Sequence, residues 1–131
     1  MTVDNSMPKT GKIGDAHIQC RVRVTRGDNI AIGPGKMDVL AAIRDAGSIS
    51  GAARKMGMSY RRAWLLVETM NSCFEKPLVE TATGGKSGGG ARLTLEGERI
   101  LGRYTTMMVE VNAVAERHLQ GLLQDSPLAS G

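Results

Sequence analysis

Aromatic side chains are scarce in this chain: one Trp, two Tyr and one Phe among 131 residues. A surface that stacks unpaired bases needs aromatic platforms, so the composition argues against single-strand recognition. It also means that Ile, Leu, Val, Ala and Met must build the core, and the eight methionines read as core filler. Cysteine is limited to Cys20 and Cys73, too few for a disulfide framework; both read as reduced, mostly buried thiols. The two histidines, His17 and His118, lie far apart, and neither stands at metal-ligand spacing from Cys, His or a carboxylate. No nucleophile elbow or paired-carboxylate pattern is present. Asp38, Asp45, Glu68, Glu75 and Glu80 read as solvated charges, so the expectation is a protein that is not an enzyme and holds no metal. No apolar run approaches the ~18 residues that span a bilayer. The polar first 14 residues lack the apolar run of a signal peptide, which leads to a cytoplasmic expectation.

What is present is an ordinary globular composition, 41% hydrophobic, at a length that favours a single domain with a real core. The net charge is +4 and the pI about 9.4, a mild sign of a polyanionic partner. The placement of charge is sharper. Residues 54–62 hold Arg54, Lys55, Arg61 and Arg62 with no acid among them.

Periodicity divides the chain. Residues 1–14 read as a flexible tail. Residues 17–26 alternate, with Ile18, Cys20, Val22 and Val24 on one face, which predicts a half-buried strand. A turn at 27–29 leads to a short return strand ending at Gly33-Pro34-Gly35. Residues 36–46 carry a helix-period stripe of Met37, Leu40, Ala41 and Ile43, stopped by Gly47. Ser48 or Ser50 can cap a second, short helix to Met56, with Ile49, Ala52, Ala53 and Met56 inward and Gly57 as its stop. Ser59 caps a third helix to about Phe74. Its expected inward stripe is Tyr60, Ala63, Trp64, Val67, Met70 and Phe74, and its outward side Arg61, Arg62, Leu65, Glu68, Thr69 and Ser72. Residues 78–83 and 91–94 flank a glycine-rich tip and read as a hairpin. In the first of these, Leu78 and Glu80 share one face and Val79 and Thr81 the other. Thr94 then caps a long last helix running to about Leu123, about 45 Å at 1.5 Å per residue. Residues 125–131 read as a frayed tail.

Three features bear on function. The helix, tight turn and helix over 48–74 can present an N-terminal turn, Ser59, Tyr60, Arg61 and Arg62, to the edges of bases, with Ser48 and Ser50 at the start of the preceding helix. Arginine bonds guanine or phosphate bidentately, and a helix N-terminus favours phosphate. On this reading Trp64 and Val67 pack the back of the helix. The hairpin over 78–94 suits a wing, with Lys86, Ser87 and Arg92 as backbone contacts. A nucleotide phosphate loop fails on spacing, because the glycine required five residues before Gly85 is Glu80. The last helix repeats Ile100, Tyr104, Met107, Val111, Val114 and His118 at alternating four and three, an a/d seam widened by Leu101, Met108, Ala115, Leu119 and Leu122. A second copy of the chain would hide that seam, placing two reading helices about 34 Å apart on a palindromic duplex site.

Several segments are familiar together. Gly47-Ser48-Ile49-Ser50-Gly51-Ala52-Ala53, Met58-Ser59-Tyr60-Arg61-Arg62-Ala63-Trp64, Pro77-Leu78-Val79-Glu80-Thr81-Ala82-Thr83-Gly84-Gly85, Gly88-Gly89-Gly90-Ala91 and Leu93-Thr94 resemble the DNA-binding domain of the ModE-type molybdate-responsive regulators. The likeness runs from about His17 to the end of the last helix, and its first part is more distantly similar to LysR-type regulators. The resemblance implies an α+β, mainly α fold: a winged helix-turn-helix (15–94) with a long C-terminal dimerisation helix (95–124). It implies a cytoplasmic, sequence-specific, double-stranded DNA-binding transcriptional regulator acting as a homodimer in molybdenum or oxyanion-related control. The family senses molybdate or tungstate through a C-terminal tandem oxyanion-binding domain. Here only residues 124–131 follow the last helix, so no bound cofactor is expected. Two other classes remain open: a protein-interaction module using the wing or long helix, and an oxyanion-binding protein using the glycine-rich loop.

Overall fold

The computed structural model describes residues 11–13, 16–82 and 89–130. Its centre is α1 (Pro34–Ala46). Pro34 occupies the first helical position, where its missing N–H costs no hydrogen bond and its fixed φ suits the helix. The helix therefore starts two residues before the predicted Lys36, and Pro34-Gly35 belongs to it rather than to the end of the strand. Met37, Val39, Leu40, Ala41, Ala42 and Ile43 are all buried, far more than one stripe, because helices and strands surround α1 on several sides. Gly47 ends it at φ 74°, its N–H bonded to the Ile43 carbonyl at 2.8 Å.

Helix α2 (Ile49–Met56) follows at once, capped by Ser48, whose Oγ accepts from Gly51 N at 2.9 Å. Ile49, Ala52 and Ala53 are its buried side, and the two alanines let α1 and α3 approach closely. Gly57 at φ 68° stops it. Helix α3 (Tyr60–Cys73) is capped by Ser59, whose Oγ accepts from Arg62 N at 3.1 Å, and buries Ala63, Val67 and Met70.

The N-terminal segment differs from the sequence expectation. Instead of one strand over 17–26 there are two short ones in separate hairpins. Strand β1 (Gly11–Ile13) pairs with β2 (Ala16–Ile18), and β3 (Val24–Arg26) pairs with β4 (Asn29–Ile32). The pairing partners of the two ends lie before and after the segment, so among the described residues no strand lies beside residues 19–23. The inward alternation survives for Ile18, Cys20 and Val22, which pack on the core, but Val24 is exposed. The proposed tail over 1–14 likewise contains β1; residues 1–10 lie outside the described part.

Strands β5 (Val79–Ala82) and β6 (Gly90–Leu93) form the antiparallel hairpin, with Glu80 opposite Arg92 and Thr81 opposite Ala91. The predicted alternation fails at its start: Leu78 and Val79 are both buried, because the chain turns into the core there before pairing. Helix α4 (Leu95–Asp125) starts where the hairpin closes. Thr94 N donates to the Leu78 carbonyl at 2.9 Å, Thr94 Oγ1 to the Pro77 carbonyl at 2.7 Å, and Gly97 N to Thr94 Oγ1 at 3.0 Å. A Cβ on Gly97 would overlap the Leu78 carbonyl oxygen, so the first turn of α4 lies directly on the chain. Leu101, Tyr104 and Met108 join the same core as α1, and beyond Asn112 no described residue is buried. The core thus continues past residue 94 into the first half of the long helix.

Candidate nucleic-acid interface

The helix pair α2–α3 supplies the candidate surface. The tight turn between them holds Met58 N on the Ala53 carbonyl at 3.0 Å and leaves Ser59 to begin α3 with its cap bond made. Ala63, Val67 and Met70 point into the core, which turns Arg61 and Arg62 outward on the first turn. Among the described residues, Arg54, Arg61 and Arg62 are in no ion pair, so three guanidinium groups stand exposed around the start of α3 and the end of α2.

Ser48 and Ser50 sit together at the start of α2, Ser50 Oγ donating to Ser48 Oγ at 3.5 Å. Ser48 is half-buried and committed to capping; Ser50 is exposed. The hairpin is fastened to this corner: Ala91 N donates to the Gly47 carbonyl at 3.0 Å, one residue before the α2 cap. A second fastening comes from Asn71 on α3, which the sequence reading missed. Its Oδ1 accepts from Leu78 N at 2.8 Å and Val79 N at 3.3 Å, and its Nδ2 donates to the Val79 carbonyl at 3.1 Å. One side chain thereby joins the far end of α3 to the start of the hairpin. The only hint in the sequence is an amide on a helix ending shortly before a strand.

Arg92 is exposed on β6, but its guanidinium is paired with Glu80 directly across the hairpin, Nη2 to Oε2 at 3.2 Å. An exposed pair of this kind is worth about 0–1 kcal/mol, so separating it costs little. Lys86 and Ser87, the other two wing candidates, lie outside the described residues.

Two assignments on α3 change. Tyr60 and Trp64 were expected on the inward stripe, with Trp64 packing the back of the helix. They are 55% and 41% exposed, and Leu65 is 46% exposed. The buried line runs through Ala63, Val67 and Met70, a narrow strip that brings α3 close to its neighbours and leaves the two rings beside it, not under it.

The dimer seam also changes. Tyr104 is 4% exposed within the single chain and donates its hydroxyl to the Val22 carbonyl at 2.8 Å. Burial first, and the nearby Asp38 charge second, push its phenol above the usual tyrosine range. Tyr104 therefore belongs to the chain's own fold and is not available to a partner. Ile100 and Met107 are half-buried against the same core. Val111 is half-buried, while Val114 and His118 are exposed, joined by Leu122 and by Val109, which the seam did not include.

Comparison with known proteins agrees with the geometry. The family described as bacterial regulatory helix-turn-helix protein, lysR family, matches residues 35–98. The full-length LysR-type regulator LysG of Corynebacterium glutamicum with bound effector Arg shares the fold, with a TM-score of 0.51 and 27% identity over 74% of this chain and 31% of that one. The molybdenum-pterin-binding protein MopA of Rhodobacter capsulatus is 45% identical over 73 residues, 56% of this chain and 28% of MopA. The DNA-binding transcriptional dual regulator ModE of Escherichia coli K12 is 46% identical over 71 residues, 54% of this chain and 27% of that protein. The chain has a winged helix-turn-helix fold, and its residues 35–98 are similar to the bacterial regulatory, LysR-type class. It is also similar to the ModE-type regulators over the 71 residues matched above. The chain spans only about a quarter to a third of the length of these relatives, which are named as regulators or molybdenum-binding proteins rather than enzymes. Among the described residues no helix is long and apolar enough to cross a membrane.

Proposed function

We propose that the chain binds double-stranded DNA sequence-specifically, as a homodimer on a palindromic operator, and regulates transcription of genes connected with molybdenum or with an oxyanion. The observation that carries the reading is the first turn of α3. Its cap bond is made by Ser59, its back is held by Ala63 and Val67, and Arg61 and Arg62 face outward without ion-pair partners among the described residues. The fastening of the hairpin to Gly47 supports a second backbone grip beside the same corner. The apolar residues left exposed on the second half of α4, Val114 and Leu122 with His118 between them, support a two-fold contact there. The molybdenum connection rests on the relatives' names alone.

Salt-dependent binding to duplexes selected from a random pool tests this. Arg61→Ala/Arg62→Ala should abolish preference for the selected site. Lys86→Ala should weaken all duplexes more evenly and reduce the salt slope by roughly one. A double variant with unchanged affinity for the selected site overturns the proposal.

A further inference from the structure

A chain with four aromatic residues leaves two of them, Tyr60 and Trp64, 55% and 41% exposed on one helix, next to the exposed Leu65. Tyr60 and Trp64 are four residues apart, as are Arg61 and Leu65, so the four side chains form one contiguous patch over the first two turns of α3. Among the described residues, no element of the chain buries that patch. Exposed rings beside a leucine are costly to keep in water without a use.

The surroundings select the occupant. Arg61 on one side of the patch and Arg62 beside it are in no ion pair among the described residues, and the cap of α3 opens at its edge. A cationic rim around apolar side chains complements a polyanion that displays apolar groups between its charges. The major groove of duplex DNA does this. The thymine C5 methyl is its apolar mark, next to the hydrogen-bonding edges that arginine reads. Glu68 lies one turn beyond Trp64 and Leu65 on the exposed side, where its carboxylate disfavours a phosphate and favours a base edge.

Building on the DNA-binding reading above, we propose that Trp64 and Leu65, continuous with Tyr60, form an apolar reading strip that contacts thymine methyl groups and makes the operator thymine-dependent at fixed positions in each half-site.

The test uses the full chain and a duplex selected from a random pool. Each thymine is replaced singly by deoxyuracil, which pairs identically and lacks only the methyl. The expected result is a loss of about fourfold in affinity at one or more positions per half-site, the worth of one buried carbon. Trp64→Ala and Leu65→Ala should weaken binding and erase the thymine–uracil difference at their own positions, while Leu65→Ile keeps it. Enrichment of a duplex that the wild-type chain binds equally well with uracil throughout overturns the strip and leaves the DNA-binding reading standing. Failure to enrich any duplex overturns that reading instead, and the strip with it. If Trp64→Ala or Leu65→Ala lowers the sedimenting mass without DNA, a second copy covers the patch and the proposal fails. Should a variant not fold, the uracil scan on the wild-type chain decides alone.

Discussion

Helices α1 and α3 are almost equal in length, 13 and 14 residues, and lie against each other, yet the fold treats them oppositely. Helix α1 buries six residues, including Met37, Val39, Leu40 and Ile43 with no measurable exposure. Helix α3 buries only Ala63, Val67 and Met70 and leaves its largest apolar side chains at the surface. The first helix is spent on stability and the second on presentation. A helix that must present side chains to a groove keeps a narrow buried line, and the stability it gives up is supplied by its neighbour.

The sharpest test of that division is a pair of leucines. Leu40→Ala should cost about 2–5 kcal/mol, because a fully buried side chain is removed from a core that can only partly collapse around it. Leu65→Ala should change stability by no more than about 0.5 kcal/mol, since its site is half-open to water. Urea denaturation of both measures the gap. Similar losses for the two would break the comparison, because α3 would then be as structural as α1.

A second test moves to the place where α4 presses on the chain between α3 and the hairpin. Gly97→Ala puts a methyl against the Leu78 carbonyl oxygen, which also accepts from Thr94 N. Overpacking of this kind costs about 1–3 kcal/mol. Gly102→Ala on the same helix meets open space and should instead stabilise by up to about 1 kcal/mol through helix propensity. Melting temperatures shifted in opposite directions are the expected outcome; equal shifts would mean that α4 does not bear closely on Leu78.

The two helices were not equally legible in the sequence. Caps and stops are local chemistry, so Ser59, Thr94, Gly47 and Gly57 read correctly, and of the two serines open for α2 it is Ser48 that caps. The hairpin and the long helix followed from turn residues and period. The orientation of α3 did not follow. A stripe centred on Trp64 and one centred on Ala63 satisfy the same three-and-four spacing, and which one faces inward depends on how closely α1 and α2 approach. The strand over 17–26 failed for a related reason, since alternation records which way side chains point and not which strand lies alongside. Tyr104 fits the seam by spacing, but only the packing of residues 19–23 against α4 claims it for the core. Asn71 acts wholly through tertiary contacts.

Asn71 offers an intermediate effect. Asn71→Ala removes three hydrogen bonds to the backbone of residues 78–79. At about 1 kcal/mol for each net bond, with water replacing part of the loss, about 1–2 kcal/mol is expected. The more telling readout is hydrogen exchange. Amides of β5 and β6 should exchange faster than those of α1, because the link that is cut joins α3 to the hairpin and leaves the α1 core intact. Uniform acceleration across α1 would show that the hairpin and the core open as one unit.

The smallest effect lies where α1 hands over to α2. Asp45 in the last turn of α1 accepts from Lys55 Nζ at 3.0 Å, in the last turn of α2, and from Arg44 Nε at 3.4 Å. The Lys55 hydrogen bond, chiefly, holds its carboxyl below the usual range; partial burial opposes this, and the Lys55 and Arg44 charges assist. A carboxyl whose pKa is lower folded than unfolded adds stability above its unfolded pKa, and that stability is lost as pH falls through the folded value. Asp45→Asn should therefore be less stable than the wild-type chain near neutrality, by no more than about 1 kcal/mol for an ion pair near the surface. The difference should shrink as pH falls below the ordinary carboxylate range and also as salt rises. Urea midpoints of the two proteins compared across that range provide the check. A gap that ignores both pH and salt would mean that the α1–α2 corner is set by Gly47 and the Ser48 cap, and that the ion pair only decorates it.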